Sequence, residues 1–266
     1  MTDPDPTDPA YWDSAVANYE AQAAPFTGFF AEAALAMLDL RPGQRLLDVA
    51  TGTGAAALAA ARKGMSVTAI DFSHGMIERV RAHGLPNIVA RQMDGQALDL
   101  PGAAFDAAVS IFGVMLFADW RAGLSEMARV VRPGGAAAVA AWRNPSGAAT
   151  SLLLSETCAA LFPEMEQPIP WSGLTALADP GRLSAAMIEA GFADPLVTEM
   201  THAFNLKVEI LDDAGRLFAM IPVWRALDDA QKALVLEAIR DRAARERVGE
   251  LLPIPSTALI AVARRP

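Results

Sequence analysis

The chain has 266 residues, 53% of them hydrophobic and 20% charged, with a formal net charge of −9. That is ample material for a core and argues against wholesale disorder. The negative balance is a poor match to nucleic acid, whose binding draws on lysine and arginine. The single cysteine, Cys158, forms no intrachain disulfide, and no C-x-x-C pattern occurs. Three scattered histidines (His74, His83 and His202) do not suggest a zinc site, and no metal is expected.

The acidic, proline-rich start MTDPDPTDPA has neither the basic nor the apolar segment of a secretory signal, and residues 1–10 read as a disordered lead. No apolar run approaches the roughly 18 residues that span a bilayer. A soluble cytoplasmic protein without membrane contact is expected. Tyr11 to Leu40 is helical in pattern, broken near Pro25, and Arg41-Pro42-Gly43 is a turn. Strand and helix then alternate. RLLDVAT (45–51) is a strand, and GAAALAAARKG is a helix stopped by Gly64. SVTAIDF (66–72) is a strand, after which Ser73 caps HGMIERVRA. NIVARQMD (87–94) and AFDAAVSIFG (104–113) are strands. Asp119 caps WRAGLSEMARVV, and GAAAVAAW (135–142) is the fifth strand. These near-continuous apolar runs fit parallel strands covered on both faces, which predicts a doubly wound α/β sheet.

Beyond Trp142 the rhythm breaks. SLLLSETCAALF is helical and leads into a proline-rich loop. PGRLSAAMIEAGF is a helix, and a strand lies near LVTEMTHAFNL. Residues 207–250 are helical again, with Asp228 and Gln231 forming a capping box, and TALIAVARR (257–265) is a last strand. One domain over 1–266 is expected. Its core comprises about 42–144, 180–206 and 257–266, and a helical cap comes from 11–40, 145–179 and 207–250.

The turn after the first strand spells G-x-G-x-x-A with Gly52, Gly54 and Ala57, a pattern that also cradles pyrophosphate. Asp48 stands four residues before it. Beside a pyrophosphate its charge would be repelled by about 4 kcal/mol per pair of unit charges a few Å apart, whereas a cationic ligand group reverses the sign. Alternatively, Asp48 braces the turn through backbone N–H groups. Asp71 ends the next strand, where a carboxylate can accept ribose hydroxyls or simply begin a helix. Asp94 ends the third, where a carboxylate and the N–H of Gly95 or Gln96 can read an adenine. Parallel strands place the three acids along one sheet edge.

In order, LLDVATGTG, VTAIDFSHGMIERVRA, MDGQALDLP, FDAAVSIFGVMLFAD and EMARVVRPGGAAAVAAW span residues 45–142. This series resembles the class I S-adenosylmethionine-dependent methyltransferases, in particular the ubiquinone/menaquinone-biosynthesis-like small-molecule group. The resemblance implies a Rossmann-like seven-stranded sheet whose last strand is antiparallel. It implies S-adenosylmethionine as cofactor and S-adenosylhomocysteine as product. Asp48, Ala50, Thr51, Gly52 and Gly54 would border the methionine part and Asp71 would hold the ribose. Phe72 and Met76 would pack the adenine, Asp94 and Gly95 would read its edge, and Ser110 would lie near the sulfonium. The family usually has glycine where this chain has Ala50, a methyl that narrows the approach of the methionine.

Methyl transfer is an in-line displacement in which the protein orients and excludes water, so no catalytic motif is required and none is present. His202 is the best base candidate, against a plain structural role. Tyr19 would close over the cofactor or pack as a lid. The apolar residues Phe112, Met115, Trp142, Trp171, Met220 and Trp224 are the candidate acceptor wall, which points to a hydrophobic or aromatic small molecule. The competing readings are a non-catalytic S-adenosylmethionine-binding protein and an NAD(P)-dependent oxidoreductase. Asp48 and the absence of a Tyr-x-x-x-Lys pair disfavour the latter.

Overall fold

The computed structural model describes residues 8–169, 171–219 and 221–266. Seven strands form one sheet in the order β3-β2-β1-β4-β5-β7-β6. The strands are β1 (Arg45–Val49), β2 (Ser66–Asp71), β3 (Ile88–Gln92), β4 (Phe105–Ile111), β5 (Val131–Trp142), β6 (Ala193–Lys207) and β7 (Leu251–Arg264). The first five run parallel, and β7 runs antiparallel to both β5 and β6. Leu46, Leu47, Val49, Ala107, Ala108, Val109 and Ala137–Val139 are fully buried, as both-face coverage requires.

Several of the helices that cover the sheet start where side chains supply caps. Ser73 Oγ accepts from Met76 N at 3.1 Å to open α4 (His74–Ala82), and Asp119 caps α5 (Trp120–Val130) through Ala122 N. α3 (Ala55–Arg62) buries Ala56, Ala57, Ala60 and Ala61, small residues that let it lie close to α2 (Ala24–Met37) and the sheet. Ahead of α2, Asp8 caps α1 (Pro9–Asn18), so the helix begins inside the expected lead. Residues 1–7 lie outside the described chain. The expected break near Pro25 is instead a π-helical turn at Tyr19–Ala23, while Pro25 sits in the first turn of α2, where its missing N–H costs nothing.

The final strand is longer than expected. β5 pairs with β7 only as far as Trp142–Ala258, yet β6 and β7 continue pairing to Lys207–Leu251. This hairpin arm projects past the sheet and carries Leu206, Leu252 and Ile254 into a second hydrophobic cluster. Packed there are α6 (Ala149–Leu161), α9 (Ala214–Phe218), α10 (Pro222–Ala226) and α11 (Asp229–Glu246), the last opened by the Asp228–Gln231 capping box. Between them come the short α7 (Ser172–Ala176), which sequence patterning did not reveal, and α8 (Pro180–Glu189).

Candidate functional site

Strands β1 and β4 are neighbours whose connections leave in opposite directions, so their carboxyl ends flank the crevice where open α/β sheets bind ligands. A cavity of about 540 Å³ opens there, within the range of small-molecule sites. Its polar end is built from the strand ends. Ala50 and Gly52 come from the turn after β1, Asp71 and Phe72 from β2, Met76 from α4, and Asp94, Gly95 and Gln96 from the segment after β3. Its apolar end is formed by Phe112, Met115, Trp142, Trp171, Leu174 and Phe204. Tyr11, Trp12, Tyr19, Phe26 and Thr27 of the N-terminal helices form a third wall.

Asp71 is 7% exposed. Its Oδ2 accepts from Gly52 N at 2.9 Å and its Oδ1 from Ser73 N at 3.0 Å. Burial nevertheless pushes its pKa up to about 6. Each oxygen retains a lone pair that a ligand hydroxyl can use. Asp94 Oδ1 accepts from the backbone and side-chain amides of Gln96 at 2.9 and 3.0 Å. Among the described lining residues there is no lysine, arginine or histidine. Two carboxylates without a cation repel phosphate and favour a positively charged ligand.

Four expected binding residues do not face the cavity. Asp48, 1% exposed, accepts from Thr51 Oγ1 at 2.6 Å and Ala57 N at 2.9 Å. It thus braces the turn and the start of α3, the alternative considered above. Burial raises its pKa to about 6 as well. Thr51 is its hydrogen-bond partner and is turned the same way. Gly54 packs against Val80 and Leu58. Ser110 Oγ donates to Val49 O at 3.0 Å and accepts from Val114 N at 3.1 Å, which ties β1 to the turn after β4.

Ala50 holds φ 55°, a left-handed conformation that costs a non-glycine residue free energy. Its methyl is directed toward Gly113. A Cβ added at Gly113 would lie 2.4 Å from the Ala50 Cβ. The methyl that appeared to narrow the methionine approach is therefore matched by a missing one on the opposite turn. Phe112, beside it, is also left-handed at φ 62°, and its ring lies parallel to Trp142 with centroids 3.6 Å apart. A bulky residue held in this region marks a site whose surroundings over-determine it.

Tyr19 seats its ring over Gly52, where an added Cβ would meet the ring and hydroxyl at 3.4 Å. Burial raises the pKa of both Tyr11 and Tyr19, so both phenols stay protonated at neutral pH. The N-terminal wall is latched to α4: Ser73 Oγ donates to Asp13 Oδ1 at 2.5 Å, Gly75 N donates to the same oxygen at 2.8 Å, and Arg79 pairs with Glu20. Sequence patterning gave no sign of this latch, because its partners lie about 60 residues apart.

His202 is not a cavity residue. It stacks on Phe29 at 4.0 Å and is absent from the cavity lining, and so is not positioned as a base. Trp224 is buried in the second cluster beside Phe218 and does not line the cavity. Met220 lies outside the described residues. Phe26, Met93 and Phe204 line the cavity but were not foreseen, and Phe117, in the apolar run that follows the fourth strand, lines it as well.

Residues 46–135 match the family model of a methyltransferase domain. Demethylmenaquinone methyltransferase of Corynebacterium efficiens is 36% identical over 132 residues, covering 50% of this chain and 56% of that protein. The chain thus spans little more than half the length of the curated relatives it matches. Among solved structures, phosphoethanolamine N-methyltransferase 2 of Haemonchus contortus in complex with S-adenosyl-L-methionine aligns with TM-score 0.53 and 18% identity, covering 89% of this chain and 52% of that one. The YcgJ protein of Bacillus subtilis aligns with TM-score 0.55 and 17% identity over 90% and 99% of the two chains. At that identity the likeness is one of fold. The shared features are thus the sheet order and a methyltransferase-domain match confined to residues 46–135.

Proposed function

We propose that the protein transfers a methyl group from S-adenosylmethionine to a small, flat, apolar acceptor. One observation carries this reading: a single cavity at the β1–β4 edge has two carboxylates and no cation at one end and aromatic rings at the other. When bound, the cofactor supplies an electrophilic methyl on a sulfonium. Asp71 would hold the ribose, and Asp94 with Gly95 would read the adenine edge. Phe72 and Met76 would pack that ring, while Gly52 and Ala50 would border the methionine part under Tyr19. The hairpin arm and residues 145–179 and 207–250 would serve as a cap on one domain.

The chain's own contribution is orientation and exclusion of water, the largest effects available to a displacement that needs no protein nucleophile. Among the described residues the cavity presents no histidine or lysine, and its phenols are held protonated. The acceptor must therefore arrive already nucleophilic, as an electron-rich ring does. The relative named above acts on a demethylmenaquinone, which fits such a ring.

Calorimetric titration with S-adenosylhomocysteine tests the cofactor assignment. Binding is expected for the wild type and lost in Asp71→Ala, with Asp94→Asn weakened, while NADH fluorescence stays unchanged. Undiminished binding by folded Asp71→Ala would sink the site assignment. S-adenosylhomocysteine binding without methyl turnover across electron-rich aromatic acceptors would favour the non-catalytic alternative.

A further inference from the structure

The aromatic end of the cavity contains a polar group that the fold leaves unmatched. Trp171 forms part of the wall, and its indole nitrogen is buried with no hydrogen-bond partner. Among the described residues no other buried side-chain nitrogen or oxygen is in this condition. A tryptophan N–H taken out of water normally finds a partner, and leaving it without one costs stability.

Both flanks of Trp171 are tied down, so the ring cannot easily swing into solvent. Upstream, Gln167 Oε1 lies 2.5 Å from Ser155 Oγ, and Gln167 Nε2 donates to Ser155 O at 2.9 Å. Downstream, Leu174 N donates to Trp171 O at 3.1 Å. Gly173 presses backbone to backbone on Met115, where an added Cβ would come within 2.4 Å of Met115 O. The chain therefore holds an unmatched donor in a cavity whose other lining residues include Phe112, Met115, Trp142, Leu174 and Phe204, with hydroxyls at Ser146, Thr150 and Ser151. The same cavity is lined by Phe112, held in a strained conformation, and by Trp142, on which its ring stacks, so the lining offers flat aromatic surface.

We propose that Trp171 is a specificity-determining residue of the acceptor site, whose indole N–H donates a hydrogen bond to an oxygen on a flat, uncharged acceptor ring. This rests on the proposed reading of the cavity as a methyl-acceptor site. It selects, within flat apolar molecules, those carrying a carbonyl, ether or hydroxyl oxygen, because a bare hydrocarbon leaves the donor unmatched. Selection of this kind is sharper than selection by shape, since only a ligand with a suitably placed oxygen supplies the missing partner.

The test uses the full chain saturated with S-adenosylhomocysteine, with its tryptophans isotope-labelled for a proton–nitrogen correlation spectrum. The Trp171 indole signal is assigned by its absence from Trp171→Phe. Chromone, a flat ring with a carbonyl oxygen, is expected to move that signal downfield, and naphthalene is not. Trp171→Phe should weaken chromone binding by about fivefold to tenfold, the weight of one hydrogen bond, and leave naphthalene and S-adenosylhomocysteine unchanged. An unmoved Trp171 signal in the chromone complex, or equal chromone affinity in the variant, overturns the assignment. So does failure of both rings to bind. Failure of the wild type to bind S-adenosylhomocysteine would instead bring down the proposed function.

Discussion

The Ala50–Gly113 pair makes a quantitative prediction. Ala50 adopts φ 55°, and a Cβ at Gly113 would stand 2.4 Å from its methyl and 2.9 Å from Ser110 Oγ. Gly113 itself has φ −89°, which alanine accepts without strain, so Gly113→Ala is penalised by crowding alone. Forcing one methyl into such a contact costs about 1–3 kcal/mol. Ala50→Gly removes left-handed strain of about 1–2 kcal/mol but adds freedom to the unfolded chain worth about 0.4–1 kcal/mol. It also loses the methyl's packing, so the net change should lie within about 1 kcal/mol of zero. In the double variant the 2.4 Å contact disappears, and those with Ser110 Oγ at 2.9 Å and Val49 O at 3.3 Å remain. The cycle should therefore show a favourable coupling of about 1–2 kcal/mol. Urea unfolding of the four proteins measures it. Because the methyl faces Gly113, Ala50→Gly should also leave S-adenosylhomocysteine affinity nearly unchanged by calorimetry. A neutral Gly113→Ala, or strictly additive costs, would refute the matched-turn argument.

Three further outcomes follow from the buried groups. Asp48 and Asp71 have folded pKa values near 6, above an unfolded value of 3.8, so the native state holds the extra protons between about pH 4 and 6. Stability measured in urea should then rise as pH falls from 7.5 to 5, by on the order of 1 kcal/mol per carboxylate. A steady decline over that range would contradict the burial argument, and S-adenosylhomocysteine affinity should weaken below about pH 6 as Asp71 gains its proton. Asp13→Ala removes the acceptor of Ser73 Oγ and Gly75 N, so stopped-flow should find faster S-adenosylhomocysteine release with little change in melting temperature; an unaltered release rate would mean that the latch does not gate the cavity. Phe218→Ala empties a fully buried place in the second cluster and should destabilise by about 3–5 kcal/mol, seen as faster hydrogen exchange in residues 207–250, with cofactor affinity retained.

What the sequence made legible divides along physical lines. Strands β1, β2, β4 and β5 could be read because burial on both faces writes itself as apolar runs, whereas β3 is a largely exposed edge strand; Ser73, Asp119 and Asp228 announce the starts of α4, α5 and α11. Asp71, Asp94 and Gly95 follow from that frame, since a strand end on a parallel edge fixes where the next residues must lie. Asp48 shows where such reasoning stops. Its position on the strand was right, but which way its carboxylate turned depended on Thr51 and Ala57 competing for it. A buried carboxylate takes whichever donors reach it first, and spacing alone does not rank them. Trp224 and His202 were misassigned for a related reason. Aromatic residues in an insertion serve equally well for a cap core or a cavity wall, and the projecting β6–β7 arm decided the matter by giving the cap a core of its own. The arm left only a weak trace in the sequence, because Pro253 and Pro255 interrupt the strand pattern just where it extends beyond the sheet, yet β6 pairs with that segment throughout. The same arm brings Phe204 into the cavity, so the feature least visible in the sequence connects the second hydrophobic cluster to the shape of the cavity.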